Sequence, residues 1–208
     1  MTHDDALDPT NPFAAPSTLP YGLPDHAVIR TEHYLPAIRA GLAEQLAEIE
    51  QIATASQDVT VENFLDAWER SGRLAHRAVT AFYNQVSAHS SPELDEIEEQ
   101  VAPMLAAHHD AIYLDERLYA RGKALAARAE RGEVTLADDQ AWLLTTILED
   151  FERSGVALEP ADKERLRALN AEISSLESQF GRTLLAEQNA SAVLVEDVTE
   201  LDGLPEDA

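Results

Sequence analysis

Proline is crowded into the first 36 residues of this 208-residue chain, and the remainder is dominated by Ala, Leu, Glu, Arg and Gln. Proline is excluded from helix interiors because it lacks an amide hydrogen and its ring strikes the preceding turn. The five residues that dominate the rest lose least on entering a helix. The division predicts an all-α fold: an antiparallel helical bundle of about six helices, with an extended N-terminal arm before it and a short C-terminal strand after it.

The period of the apolar residues places the elements. Residues 1–10 read as a disordered tail and 11–30 as an extended arm, in which Phe13, Leu19, Tyr21 and Leu23 offer apolar groups to a surface. Residues 31–190 read as the helical domain. Leu35, Ile38, Leu42, Ile49 and Ile52 form one stripe from Thr31. A second helix is expected from Thr60 as N-cap, carrying Phe64, Trp68, Leu74, Val79, Phe82 and Val86, with Ser71-Gly72 bending or loosening its middle. Ser90 or Ser91 with Pro92 and Glu93 restarts a helix with capping-box spacing, and Pro103 should kink it. Asp115 caps a shorter helix closed by Arg131-Gly132; Thr135 and Asp138 precede another, closed by Gly155.

The last helix starts near Pro160. Its Leu166, Leu169, Ile173, Leu176, Phe180 and Thr183 alternate steps of three and four, which means a close packing seam or a coiled coil. With other helices available, an internal seam is the favoured reading. Ala192 to Val195 is β-branched and bounded by polar residues, so it reads as a strand. A lone strand lacks a partner in a helical chain, which suggests that residues 191–208 begin a connection to a further region.

Charge excludes some functions. With 39 acidic against 15 basic side chains, the net charge of −24 repels nucleic acid and anionic lipid, which need a basic footprint. Its ordinary meaning is a solvated surface. No cysteine is present, so disulfides and thiolate metal sites are excluded. The acidic start lacks the apolar stretch of a signal peptide, and no run reaches the ~20 residues of a membrane helix. A cytoplasmic protein is the default expectation.

The motif search assigns no catalytic, cofactor-binding or metal residue. The histidines are His3, His26, His33, His76, His89, His108 and His109, and no pair has the i, i+4 spacing of H-E-x-x-H. Adjacent His108 and His109 diverge by about 100° on a helix and chelate one ion poorly. G-x-S-x-G, P-loop and G-x-G-x-x-G motifs are absent. Trp68, Trp142 and the tyrosines read as core or arm residues rather than stacking platforms.

Several ordered segments resemble one family. They are Asn11-Pro12-Phe13, Ser17-Thr18-Leu19-Pro20-Tyr21 and His33-Tyr34-Leu35-Pro36-Ala37-Ile38. Phe64 to Gly72, Tyr113-Leu114 with Arg117 to Arg121, Phe151 to Leu158, Lys163 to Leu185 and Leu201 to Pro205 follow in order. Together they resemble the opening of the thimet-oligopeptidase family of zinc peptidases, with the arm most similar to that of peptidyl-dipeptidases (dipeptidyl carboxypeptidases). The resemblance implies a zinc enzyme that hydrolyses short peptides in a channel between two helical halves, releasing C-terminal dipeptides. It implies that the metal is held by H-E-x-x-H and a later glutamate, none of which exists in this sequence. It also implies that this chain is an N-terminal, non-catalytic part forming one channel wall, its partners being short peptides and the missing catalytic half.

Two further expectations follow. Apolar surface meant for the other half should be exposed and promote self-association. The alternative function is a stand-alone helical protein-interaction module without enzymatic activity, for which the heptad run is the best support; a downstream H-E-x-x-H in the gene would separate the two.

Overall fold

The computed structural model describes residues 6–192, 195–197, 199 and 202–203. Among them are seven α-helices: α1 (Thr31–Thr54), α2 (Leu65–Arg70), α3 (Arg73–Ala88), α4 (Pro92–Tyr113), α5 (Glu116–Glu130), α6 (Asp138–Arg153) and α7 (Pro160–Ala190). The extra helix arises at Ser71-Gly72. Gly72 adopts φ +70°, a left-handed conformation that ends α2 and starts α3, so the pair breaks the expected single helix.

Local chemistry sets most boundaries. Thr60 and Asn63 exchange backbone-to-side-chain hydrogen bonds of 2.8 and 3.3 Å, capping a turn, and regular helix begins only at Leu65. Ser91, not Ser90, accepts from the Leu94 N–H and caps α4, which runs through Pro103 without a break. The Asp115 carboxylate accepts from the Arg117 and Leu118 N–H groups at the start of α5. Thr135 does not cap α6. The Gln140 side chain instead reaches back to accept from the Ala137 N–H at 3.0 Å. Helices α5 and α6 both end in Schellman motifs: Gly132 and Gly155 take positive φ, while Glu133 and Val156 donate to the Arg128 and Phe151 carbonyls.

Packing follows from where small residues allow approach. Gly41 meets the α3 backbone at Ala75, and Gly72 lies beside Gln45, so rising numbers on α1 face falling numbers on α3: the two run antiparallel. Helices α4 and α7 do the same, with Asp110 bonded to Asn170 and Glu99 paired with Arg182. So do α5 and α6, through Tyr119 with Glu152 and Gly122 with Leu148. Helices α1 and α4 run in the same direction. Arg39 reaches Gln100 and Gln45 reaches His108, so these two lie parallel.

Two apolar clusters hold the bundle. One gathers Phe13, Tyr34, Ile38, Ala78, Phe82 and Val101 around the first halves of α1 and α4. The other gathers Ile49, Phe64, Ile112, Leu118, Ile147 and Phe151 around their second halves. Leu7 and Phe13 tie the start of the chain to the first cluster, whereas Tyr21, in a 3-10 turn at Pro20–Gly22, is fully exposed. Trp142, expected in the core, is 70% exposed on α6.

The C-terminal strand is not seen among the described residues. Ala192 and Val195 are in no ladder, and Val193 and Leu194 lie outside the described residues, as do residues 1–5 of the expected tail and 204–208 of the expected connection. A strand needs a neighbour to pair with, and this bundle offers helices only.

The internal seam expected of α7 is also overturned. Its face toward α4 carries Asn170, Ser174, Ser178 and Arg182, while Leu169, Ile173, Leu176 and Phe180 are 45–70% exposed. Polar pins hold the helix instead: the Asn170 amide donates to the buried Asp110 carboxylate at 2.8 Å, Arg182 pairs with Glu99 at 2.7 Å, and buried Lys163 pairs with Glu116 of α5.

Candidate functional site

Between the two apolar clusters the core pinches, and a groove of about 830 Å³ opens over the middle of α1. The reason lies in the sequence. The α1 stripe passes from Leu42 to Ile49 through polar Gln45, the α4 stripe passes from Leu105 to Ile112 through His108, and the two-residue α2–α3 break at Ser71-Gly72 borders the same space. Leu42, Ile49, Leu105, Ile112 and Trp68 supply the apolar lining. Arg73, His76, Arg77 and Thr80 come from one face of α3 at steps of three and four, and Pro16 of the arm closes one side.

His108 and Gln45 bridge the floor, with the imidazole Nε2 2.8 Å from the Gln45 Oε1. An amide oxygen only accepts, so Nε2 carries the hydrogen and Nδ1 of the neutral ring is left as an acceptor. Burial, with the neighbouring His109, holds His108 below its ordinary value and favours that neutral form. The Gly72 N–H donates to Glu48 at 2.8 Å, which ties the α2–α3 break to α1. Arg77 donates from Nη2 to the Phe13 carbonyl at 3.2 Å and anchors the arm.

The histidines are dispersed. His33 accepts from the Arg30 N–H at the start of α1, His109 stacks on Tyr113 with ring centroids 4.4 Å apart, and His26 and His89 are exposed in the arm and at the end of α3. His3 lies outside the described residues. His108 and His109 thus engage different neighbours, as their adjacency requires, and among the described residues no three His, Asp or Glu side chains gather to hold a metal ion. Arg73, His76 and Arg77 were not singled out from sequence. The signal was available: a basic face at helical spacing in a chain of net charge −24.

No protein-family model matches the chain. It is 36% identical over 196 residues to the dipeptidyl carboxypeptidase of Escherichia coli (strain K12), covering 94% of this chain and 28% of that protein. The dipeptidyl carboxypeptidase of Salmonella typhimurium gives 36% over 195 residues, with the same two shares. Oligopeptidase A of Escherichia coli (strain K12) is 28% identical over 199 residues, 96% of this chain and 28% of that protein. Over nearly all of its length the chain is therefore similar to an N-terminal segment of dipeptidyl carboxypeptidases. It spans just over a quarter of the length of these relatives, and no helix among the described residues is long and apolar enough to cross a membrane.

Proposed function

We propose that this chain forms one wall of the substrate channel in a cytoplasmic zinc peptidase that cuts short peptides and releases C-terminal dipeptides, while the catalytic residues belong to another part of the same protein. The observation that carries the reading is the exposed apolar row Leu169, Ile173, Leu176 and Phe180 on a helix already seated by its polar face. A surface of that kind is a contact surface awaiting a second body, and the similarity to peptidases supplies the candidate for that body. Excluding folded proteins by a narrow entrance is a steric task that helices perform without reactive side chains.

Zinc does not fit the residues present. A catalytic zinc needs three converging ligands and an open position, and the His108–His109 pair splits between Gln45 and Tyr113. The chain alone is therefore expected to be inactive. Peptide hydrolysis and metal analysis on the purified 208 residues test this: stoichiometric, tightly held zinc with turnover would overturn the reading.

The same row of α7 also favours a second reading, a helical interaction module that recruits a separate protein. Adding the remaining three-quarters of a related peptidase as a separate polypeptide distinguishes the two. Restored hydrolysis supports the channel wall, and failure of the two pieces to associate favours the module.

A further inference from the structure

We propose that the apolar row of α7 pairs with the same row of a second copy of this chain, in an antiparallel two-fold seam with one register. Leu166, Leu169, Ile173, Leu176, Phe180 and Thr183 follow one another at alternating steps of three and four, the spacing of the core positions of a two-stranded coiled coil. Within the described bundle the row is left uncovered: Leu169, Ile173, Leu176 and Phe180 are exposed, while Asn170, Ser174, Ser178 and Arg182 are turned toward α4. At 100° per residue the two faces lie about 130° apart round the helix, so α4 does not obstruct a helix laid along the row.

Charge selects the pairing. Arg165, Glu172 and Gln179 border the row on one side, and Asn170 and Glu177 on the other. In a parallel pair the two borders face each other across the seam, which sets Glu172 of each copy against Glu177 of the other. An antiparallel pair sets each border against itself. Sliding the copies by one heptad then brings Glu172 onto Glu172 in one direction, or Glu177 onto Glu177 in the other. Larger shifts lose most of the apolar layers. The register between those two avoids every like-charge meeting: Glu172 faces Gln179, Glu177 faces Asn170, and Arg165 faces Ala186. In it Leu166 meets Thr183, Leu169 meets Phe180 and Ile173 meets Leu176, each pair repeated by the two-fold axis. Like charges at bordering positions exclude the alternatives, which is how such seams acquire one orientation.

The helix is also prepared for the contact. Asn170 bonded to Asp110 at 2.8 Å and Arg182 paired with Glu99 at 2.7 Å hold α7 on α4 in the single copy, so pairing orders no new backbone. A short seam then suffices, where free peptides of the same length must fold as well as associate. Each copy carries a net charge of −24, and two copies repel at low ionic strength. Salt screens that repulsion and leaves the apolar seam intact, so association tightens as salt rises. A two-fold contact uses the same patch of both copies and closes at the dimer. The pairing does not rest on the channel-wall reading, which requires only that a peptidase half displace the second copy from the row.

The chain contains no cysteine, which makes disulfide mapping of the register clean. Full chains carrying Leu169→Cys alone and Phe180→Cys alone are mixed and oxidised. In the proposed register the two introduced thiols face each other, whereas two copies of the same substitution lie about 16 Å apart along the seam, the helical rise between positions 169 and 180. That is beyond the reach of a disulfide. Expected is a mixed disulfide at least roughly 10-fold more abundant than either like-with-like product. Sedimentation equilibrium of the parent chain from about 5 to 500 µM should give a monomer–dimer equilibrium, with an association constant several-fold higher in about 0.5 M than in about 0.05 M NaCl. Leu176→Glu with Phe180→Glu should keep its helical circular dichroism and sediment as a monomer throughout. Like-with-like cross-links would overturn the antiparallel register, as would equal cross-linking in every mixture. Assembly beyond the dimer, or a parent chain still monomeric at the highest concentration, would overturn the pairing itself. Hydrolysis restored by a peptidase half bears only on the channel wall, so the two readings fail separately.

Discussion

Replacing Gly41 by alanine reverses the sign that helix propensity alone predicts. In the middle of a helix, alanine is favoured over glycine by about 1 kcal/mol. A Cβ at position 41, however, would lie 2.5 Å from the Ala75 nitrogen and 2.6 Å from its Cα, both backbone atoms of α3. No rotamer relieves such a contact, so α1 and α3 must separate by roughly 1 Å to restore ordinary van der Waals spacing. That opens the seam between Ala37, Ile38, Ala78, Ala81 and Phe82, all fully buried. Overpacking of this type costs about 1–3 kcal/mol, and a backbone clash belongs at the upper end. After the propensity gain, a net loss of about 2 kcal/mol remains, which in a domain of this size lowers Tm by roughly 4–8 °C. Gly181→Ala is the matched control, because nothing lies within 4 Å of its Cβ position on α7. It should raise stability by about 0.5–1 kcal/mol. Thermal and urea unfolding of both variants measure the pair. A Gly41→Ala protein as stable as its parent would refute the close crossing of α1 on α3.

The Asp115→Ala variant should lose about 1 kcal/mol with its cap of α5, by urea unfolding at neutral pH. Burial pushes the Asp115 carboxyl up, but hydrogen bonds from Arg117 and from the Arg117 and Leu118 N–H groups outweigh it and hold the group below its usual range, so this contribution should fade as pH falls through that lowered value. His108 is depressed by burial and by His109, so the folded protein binds fewer protons than the unfolded chain; stability should be complete above about pH 6.5, fall toward the depressed value and then level, a slope that His108→Gln should flatten. Asn170→Ala removes the amide donor to the buried Asp110 carboxylate and should cost about 1.5–3 kcal/mol, read as faster amide exchange along α7. Leu176→Glu with Phe180→Glu should abolish binding of an apolar-surface dye and any concentration-dependent light scattering, while moving stability by no more than about 0.5 kcal/mol.

Helix positions were legible because capping and termination are local. Asp115, Gly132, Gly155 and Pro160 act on groups within a few residues, and each ends or begins a helix where its chemistry requires. The six-for-seven difference has the same local origin: Ser71-Gly72 was recognised as a weak point, but only tertiary contact decides between a bend and a break. There, Glu48 of α1 accepts the Gly72 N–H and stabilises the broken form. The groove was not legible in this way. Its members sit on three helices, and the parallel placement of α1 beside α4 that joins Gln45 to His108 has no signature in either segment. Each of those residues looked like an ordinary interruption of a stripe.

Helix α7 shows why an apolar period predicts a contact but not its partner. The run from Leu166 to Phe180 has the period of a packing face, but the other helices do not supply the surface for it: Leu169, Ile173, Leu176 and Phe180 stay exposed. Helix α4 is instead met by the polar face, where Asn170 and Arg182 answer acids at Asp110 and Glu99. Apolar burial is indifferent to register, whereas paired polar groups fix one alignment. A helix seated by such pins keeps a defined position while Leu169, Ile173, Leu176 and Phe180 stay exposed; on the function proposed above, that row would meet its second body without rearrangement. Removing a pin and removing the row should therefore have separable effects. Asn170→Ala loosens the helix and leaves its apolar character, whereas the Leu176 and Phe180 substitutions leave the helix seated and abolish association. If both variants lost docking of α7 together, the two faces would share one role, and the division between them would fail.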